Sequence, residues 1–332
     1  ISKPMPPKGG FFMPKIKEHT MSSKGTDVVI YIAKEESPNV LPAVPVWHTL
    51  RRTSDSLKKT VSLTESDEIV DSRFDQGSVA TSGEATGTIE YELSALSQDI
   101  LLEGVAGNVF VDDALTGVAT LEIGGMELDT FTIVKHDKKL NFIQVFSGAR
   151  IGELTIQGDT EGKITGSATI SATGYANPAT SPVTAPLAAP DTPFMSSINV
   201  NTFKINGVST VGTACAESFT ISINNNLTAR PCLGNQSIIP NRYTEGKVNI
   251  GLSATVVLTE QSKAWIPYVE SRETMTAEIG IEDTQGNAYG FHFPKLELDN
   301  DGMSDTNATD DHTLALEFKQ VKVAPTITRS VA

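Results

Sequence analysis

Apolar and polar residues alternate with period two along several stretches of this chain, most clearly over residues 149–172. Ile151, Leu154, Ile156, Ile164 and Ile170 are interleaved with Glu153, Thr155, Gln157, Thr165, Ser167, Thr169 and Ser171. The turn signal Gly158-Asp159-Thr160-Glu161-Gly162 divides them, so the pattern predicts two strands joined by a hairpin turn. Residues 86–93 repeat it, with Ile89, Tyr91 and Leu93 on one face and Thr88, Glu90 and Glu92 on the other. The β-branched run 28–33 reads as a buried strand. Further strands are expected at 58–65, 118–123, 128–134, 142–146, 198–205, 219–223, 248–258, 274–281, 289–293 and 313–321, with a hairpin turn at 283–287.

Helical spacing is rare. Residues 95–102 predict a short helix capped by Ser94 and stopped at Gly104, and 259–268 predict another, carrying Trp265 and Ile266. A strand followed by a short helix thus occurs twice. The 149–172 hairpin also has a partial echo at 217–221 and 244–255, the mark of an internal duplication. The expected fold is all-β with short flanking helices, in two tandem β-sandwich or barrel-like domains.

Breakers divide the chain. Residues 1–26 form an extended basic arm with Lys3, Lys8, Lys15 and Lys17, and 27–174 a first β domain. Residues 175–194, with Pro178, Pro182, Pro186, Pro190 and Pro193, read as a linker that sustains neither helix nor strand. A second β domain follows over 195–324, and 325–332 is a tail. The loop at 35–45, with Pro38, Pro42 and Pro45, and the acidic stretch 296–312 are long enough to be candidate contacts between subunits. The second stretch invites a calcium reading, but Gly302 directly after Asp301 breaks the ligand spacing of an EF-hand loop. Residues 66–75 read as a solvated acidic loop.

Charge narrows the function. The 332 residues carry 26 Lys and Arg against 40 Asp and Glu, a net charge of −14, which argues against tight binding to nucleic acid phosphates. The two cysteines, Cys215 and Cys232, are too few for a disulfide framework; buried free thiols are expected, a single bridge between them being the alternative. No apolar run approaches the roughly 20 residues of a membrane span, so no membrane partner is expected. The five histidines lack metal-ligand spacing, and no nucleophile elbow, phosphate loop or dinucleotide fingerprint occurs. No enzyme activity, cofactor or metal is expected.

Several motifs, in order, resemble the tail tube proteins of long-tailed bacteriophages, in particular two-part siphophage subunits. They are Arg52-Thr53-Ser54-Asp55-Ser56-Leu57, Ser66-Asp67-Glu68-Ile69 with Ser72-Arg73, Gly87 to Ser94, Asp99-Ile100-Leu101-Leu102, Phe146 to Ile151 with Leu154-Thr155-Ile156, Gly162 to Ser167, Phe219 to Leu227, and Asp283 to Gly286 before Phe293-Pro294. The resemblance spans residues 28–323. It implies stacked rings whose inner wall is an intersubunit β-barrel, and two fused halves imply three chains per ring with pseudo-sixfold symmetry, a homohexamer being the alternative. On that reading Thr88, Glu90, Glu92, Glu153, Thr155, Gln157, Ser253, Thr255, Glu278 and Glu282 face the lumen. Glu35, Pro38, Val40, Pro42, Asp299, Asp301 and Asp305 contact the next ring. The implied partners are further copies of the chain, tape-measure and tail-tip or terminator proteins, and double-stranded DNA that passes without specific binding. The implied place is the virion tail, assembled in the host cytoplasm. The competing reading is a secreted or surface β-sandwich module that binds carbohydrate or protein. Such modules usually cluster exposed aromatics, whereas here aromatics are 6% of residues and dispersed.

Overall fold

The structure, a computed structural model, describes residues 22–234, 237–303 and 311–332. The first half contains Val28–Lys34 (β1), His48–Thr49 (β2), Ser54–Asp55 (β3), Lys58–Glu65 (β4), Ser78–Glu92 (β5) and the helix Asp99–Ala106 (α1). Val111–Asp113 (β6), Val118–Glu122 (β7), Phe131–Asp137 (β8), Phe142–Asp159 (β9), Thr165–Ala172 (β10) and Gly174–Ala176 (β11) complete it. The second half opens with Val200–Ile205 (β12), Val208–Ser209 (β13), Ala216–Asn224 (β14), Thr228–Arg230 (β15), Arg242–Thr244 (β16) and Asn249–Val257 (β17). It closes with the helical turns Glu260–Lys263 (α2) and Tyr268–Ser271 (α3), then Met275–Glu282 (β18), Ala288–Met303 (β19), Thr313–Gln320 (β20) and Thr326–Ser330 (β21).

All the ladders are antiparallel. One sheet runs β4-β5-β10-β9-β14-β17-β20-β19, and β9 against β14 is where the halves meet. β9 changes partner along its length, pairing with β8 over 142–149 and with β10 beyond it. β19 does the same, with β18 over 288–296 and β20 over 296–303. Each long strand therefore crosses from one layer to the other, and the core fills the space between. Leu154, Ile156, Ile221, Ile223, Leu252 and Leu316 from the sheet share one buried cluster with Leu101, Leu102 and Val105 of α1. A smaller cluster holds Tyr31, Ala33, Trp47, Val134 and Ile143.

The pairing order repeats. β1-β8-β9-β10-β5 leads to β3 and β4, as β12-β18-β19-β20-β17 leads to β14. The counterpart of the 149–172 hairpin is thus 296–320, not the echo at 217–255. Hydroxyl-rich alternation is common to the polar face of β10, β14 and β17, so alternation alone does not distinguish them.

Other expectations are corrected. α1 starts at Asp99, passes through Gly104 and ends at Ala106, and the φ of +69° at the following Gly107 suits a left-handed C-cap. Gly104 packs inside the helix because a Cβ there would lie 2.6 Å from Ile151 Cδ1. The N-cap position is Gln98 rather than Ser94, and Gln98 Oε1 accepts the Ser94 N–H at 3.2 Å. The second helix is two single turns separated by Pro267, with Thr259 Oγ1 capping the first. The 175–194 segment, expected as a linker, runs along the first half and is hydrogen-bonded to it. Thr49 N–H donates to Leu187 O at 3.1 Å, Leu187 N–H to Trp47 O at 2.8 Å, and Arg51 Nη1 to the Pro190 and Thr192 carbonyls at 3.1 and 2.8 Å. Proline removes donors but leaves acceptors, which suffices for a strap. Residues 296–303 are strand rather than loop, and both cysteines are exposed and free, not buried. The sheet does not close on itself within the chain: among the described residues β4 has only β5 beside it.

Candidate functional site

The register sorts residues onto two faces, and the polar one runs unbroken across the junction of the halves. One cross-strand row reads Glu92, Thr165, Gln157, Thr220, Ser253, Glu317 and Asn300. Beside it run Glu90, Ser167, Thr155, Ser222, Gly251 and Lys319, and then Thr88, Thr169, Glu153, Asn224 and Asn249. Thr155 and Ser167 share a hydrogen bond of 2.7 Å, Gln157 Nε2 donates to Thr165 Oγ1 at 3.3 Å, and Ser54 Oγ donates to Glu90 Oε2 at 2.7 Å. Opposite-face neighbours such as Ile89, Leu154, Ile156, Ile221 and Leu252 are fully buried. Apolar residues inside and hydroxyls or carboxylates outside are what period-two alternation dictates for a sheet with one solvated face.

Of the expected lumen residues, Thr88, Glu90, Glu92, Glu153, Thr155, Gln157, Ser253 and Thr255 fall on this face. Glu278 and Glu282 do not join the rows: they sit on β18, which pairs with β12 and the first part of β19, and Glu278 is ion-paired to Lys204 at 3.0 Å. Glu92 is ion-paired to Lys163 at 2.6 Å, so its charge is partly answered within the chain. The rows remain acidic, with Glu90, Glu153 and Glu317 against Lys319.

A family model described as phage tail tube protein matches residues 25–319, from just before β1 into β20. The chain belongs to the phage tail tube protein family. Comparison with curated proteins gives no match. As a tail tube protein it is a structural component of the virion tail. The match covers both halves and the whole polar face. Among the described residues, no group of three or more His, Cys, Asp and Glu is placed to hold a metal ion, and no helix is long and apolar enough to cross a membrane.

The tail tube protein distributes the expected inter-ring residues unevenly. Glu35 is turned inward at 5% exposure, which does not fit a contact with another ring. Its carboxylate accepts from Thr132 Oγ1 at 2.6 Å and from the Gly148 and Asn39 N–H groups, each at 2.8 Å. Pro38 and Val40 are exposed and Pro42 half-buried, leaving the tip of that loop available. Asp299 lies on β19, 2.9 Å from Arg272, and residue 301 pairs with Leu316 within the sheet. Asp305 lies outside the described residues, as does most of the basic arm.

Sequence reasoning placed the 58–65 strand but not the start of its partner, since β5 begins at Ser78 rather than at residue 86. β4 is exposed along its whole length and pairs with residues 78–86 of β5. Val61, Leu63, Ile69, Phe74 and Val79 are 46, 63, 100, 84 and 65% exposed along this β4–β5 arm. Residues 66–75 between the two strands are an exposed loop, as expected, and the apolar Ile69 and Phe74 within it were the available signal.

A second polar cluster ties the halves together behind the sheet. The buried Tyr289 hydroxyl donates to Asp99 of α1 and accepts the Leu96 N–H at 3.0 Å, and Arg329 pairs with the same Asp99. Burial first, and then the Asp99 carboxylate, push the Tyr289 phenol well above its ordinary pKa. Burial alone does the same to Tyr91.

Proposed function

We propose that this chain is the tail tube subunit of a siphophage, stacking as rings to line the channel through which the genome leaves the virion. The observation that carries the reading is the polar face that continues through the β9–β14 junction: within one chain the two halves already form a single wall. Three chains, each supplying two halves in the same strand order, would close a ring of pseudo-sixfold symmetry. Closure removes the free strand edges that would otherwise pair indiscriminately. The β4–β5 arm and the tip of the 35–45 loop are the surfaces offered to the next ring, and the apolar residues of the arm explain why it needs a covering partner. Tape-measure and tail-tip or terminator proteins are the further partners of such a tube.

The channel acts passively. DNA carries about one negative charge per 1.7 Å of axis, so a basic wall would hold it at every contacted phosphate. Hydroxyl and acidic rows avoid that friction. Purified protein viewed end-on by negative-stain microscopy should give hollow rings with three chains each, stacked as tubes. Monomers under all conditions, including with a tail-tip initiator, would sink the reading. Glu90→Lys with Glu153→Lys should leave tubes intact and slow DNA release from reconstituted phage, and unchanged release kinetics would count against the channel assignment. Glu90 and Glu153 are the better pair, since Glu92 is held by Lys163.

A further inference from the structure

Within the chain, β9 of the first half pairs with β14 of the second. The two halves match residue by residue because they share their irregularities. The β8–β9 ladder shifts register between Phe131↔Ala149 and Ile133↔Phe146, and the β18–β19 ladder shifts between Met275↔Leu296 and Ala277↔Phe293. One turn further, β9 bulges past β10 between Ile151 and Glu153 as β19 bulges past β20 between Leu298 and Asn300. Ile156 therefore corresponds to Met303, Thr155 to Gly302 and Leu154 to residue 301. On the other side, Ser54↔Glu90 matches Ser218↔Thr255, and Lys58↔Thr86 matches Ser222↔Gly251. Leu57 then corresponds to Ile221, Lys58 to Ser222 and Lys59 to Ile223.

In the junction itself Ile156 stands opposite Ile221, Thr155 opposite Ser222 and Leu154 opposite Ile223. Among the described residues, β4 has a strand partner on one side, β5, and Gly302 and Met303 have one, β20. Met303 is 61% exposed although it lies across from the buried Leu314, whereas its counterpart Ile156 is fully buried.

We propose that the β19 edge pairs antiparallel with the 54–60 edge of the next copy, in the register of the β9–β14 junction. Met303 then meets Leu57, Gly302 meets Lys58, and the backbone of residue 301 meets that of Lys59. This rests on the ring reading and specifies which strands make the ring. The chemistry at the two kinds of junction differs in a way that suits it. The covalent junction uses the apolar pair Leu154 and Ile223, while one edge carries Lys58 and Lys59 and the other Glu297 and Asp299, two carboxylates that share the single Arg272 and so keep that edge acidic. Like-charged edges repel copies of themselves, and opposite ones select each other. The polar rows then pass from chain to chain as they pass from half to half.

The test is cross-linking of assembled tubes in a Cys215→Ser, Cys232→Ser background. Gly302→Cys has room, since the atoms nearest an added Cβ are 3.9 and 4.0 Å away. Lys58→Cys with Gly302→Cys should give, under oxidation or a short bis-maleimide, a ladder that ends at the number of chains in the ring, and neither single variant should. Tubes that form without this cross-link, or that cross-link better through Lys58→Cys with Asn300→Cys, would overturn the register while leaving the ring reading standing. Failure of the unmodified chain to form rings would overturn both. Met303→Asp provides a second route: the folded monomer should keep its circular dichroism and melting temperature, and assembly should require at least tenfold more protein. Assembly indistinguishable from the unmodified chain would overturn the proposal.

Discussion

Residues set inside the fold behave differently from their appearance in the sequence. Glu35 looks like a loop carboxylate, yet it holds the 35–45 loop to β8 and to the bend of β9 at Gly148 through three hydrogen bonds. Glu35→Ala strands the Gly148 and Asn39 N–H groups, and hydrogen bonds to a charged acceptor contribute about 1.5–3 kcal/mol each. Chemical denaturation should register a loss of about 3 kcal/mol, and a change below about 0.5 kcal/mol would refute the staple. Tyr91 is the converse case. Its ring covers Gly166, where a Cβ would meet it at 2.6 Å, but its hydroxyl is buried without a hydrogen-bond partner among the described residues. Tyr91→Phe should therefore be neutral or raise the melting temperature, while Gly166→Ala should lower it. Both Tyr91 and Tyr289 have raised pKa values, so the folded chain keeps protons that the unfolded chain releases near pH 10. Stability then falls as pH rises above about 10, and these two of the six tyrosines should show phenolate absorbance only as the protein unfolds. Early ionisation of all six would contradict the burial.

At the scale of elements, short helices act as packing pieces rather than as independent structures. α1 has only eight residues, too few to persist alone, and it is held by Leu101, Leu102 and Val105 in the core and by the close approach of Gly104 to Phe131 and Ile151. Gly104→Val inserts atoms where the nearest neighbours already stand at 2.6 and 2.9 Å. It should cost about 3 kcal/mol by overpacking, read as a lower denaturant midpoint with an unchanged slope. Element type was legible in the sequence wherever one face is buried, as in β5, β9, β10 and β14. Element ends were not: β9 runs 18 residues through two layers, and the 142–146 and 149–156 segments read as separate strands because Gly148 interrupts them. Likewise Pro294 sits inside β19 at the register shift, where the ladder hydrogen bond it lacks is not needed.

For the whole molecule, the pairing order of the first half recurs in the second, and on the proposed ring reading the two are equivalent wall segments. Its function as a tube component depends on surfaces that a single chain leaves uncovered. The exposed apolar arm, the exposed Met303 and the two strand edges that have no second partner among the described residues lie on these surfaces, and the polar rows lie between them. Assembly mediated by opposite charges on those edges should weaken with salt, so tube formation at high ionic strength should require more protein than at low ionic strength. A salt-independent threshold would point to the apolar arm as the dominant contact.

The sequence by itself determined the all-β class, the positions of the principal strands and the composition of the polar face, because period two with one buried face leaves no other solution. It also carried the family resemblance. The tertiary structure alone decided which strands are neighbours, that the proline-rich segment is strapped to the first half, that Glu35 is an internal staple, and that residues 296–320, not 217–255, repeat the first hairpin. The physical reason is that alternation specifies which way a side chain points but not which strand lies beside it. Strand order is fixed by long-range hydrogen bonding and by shared bulges, and neither leaves a periodic trace in the chain.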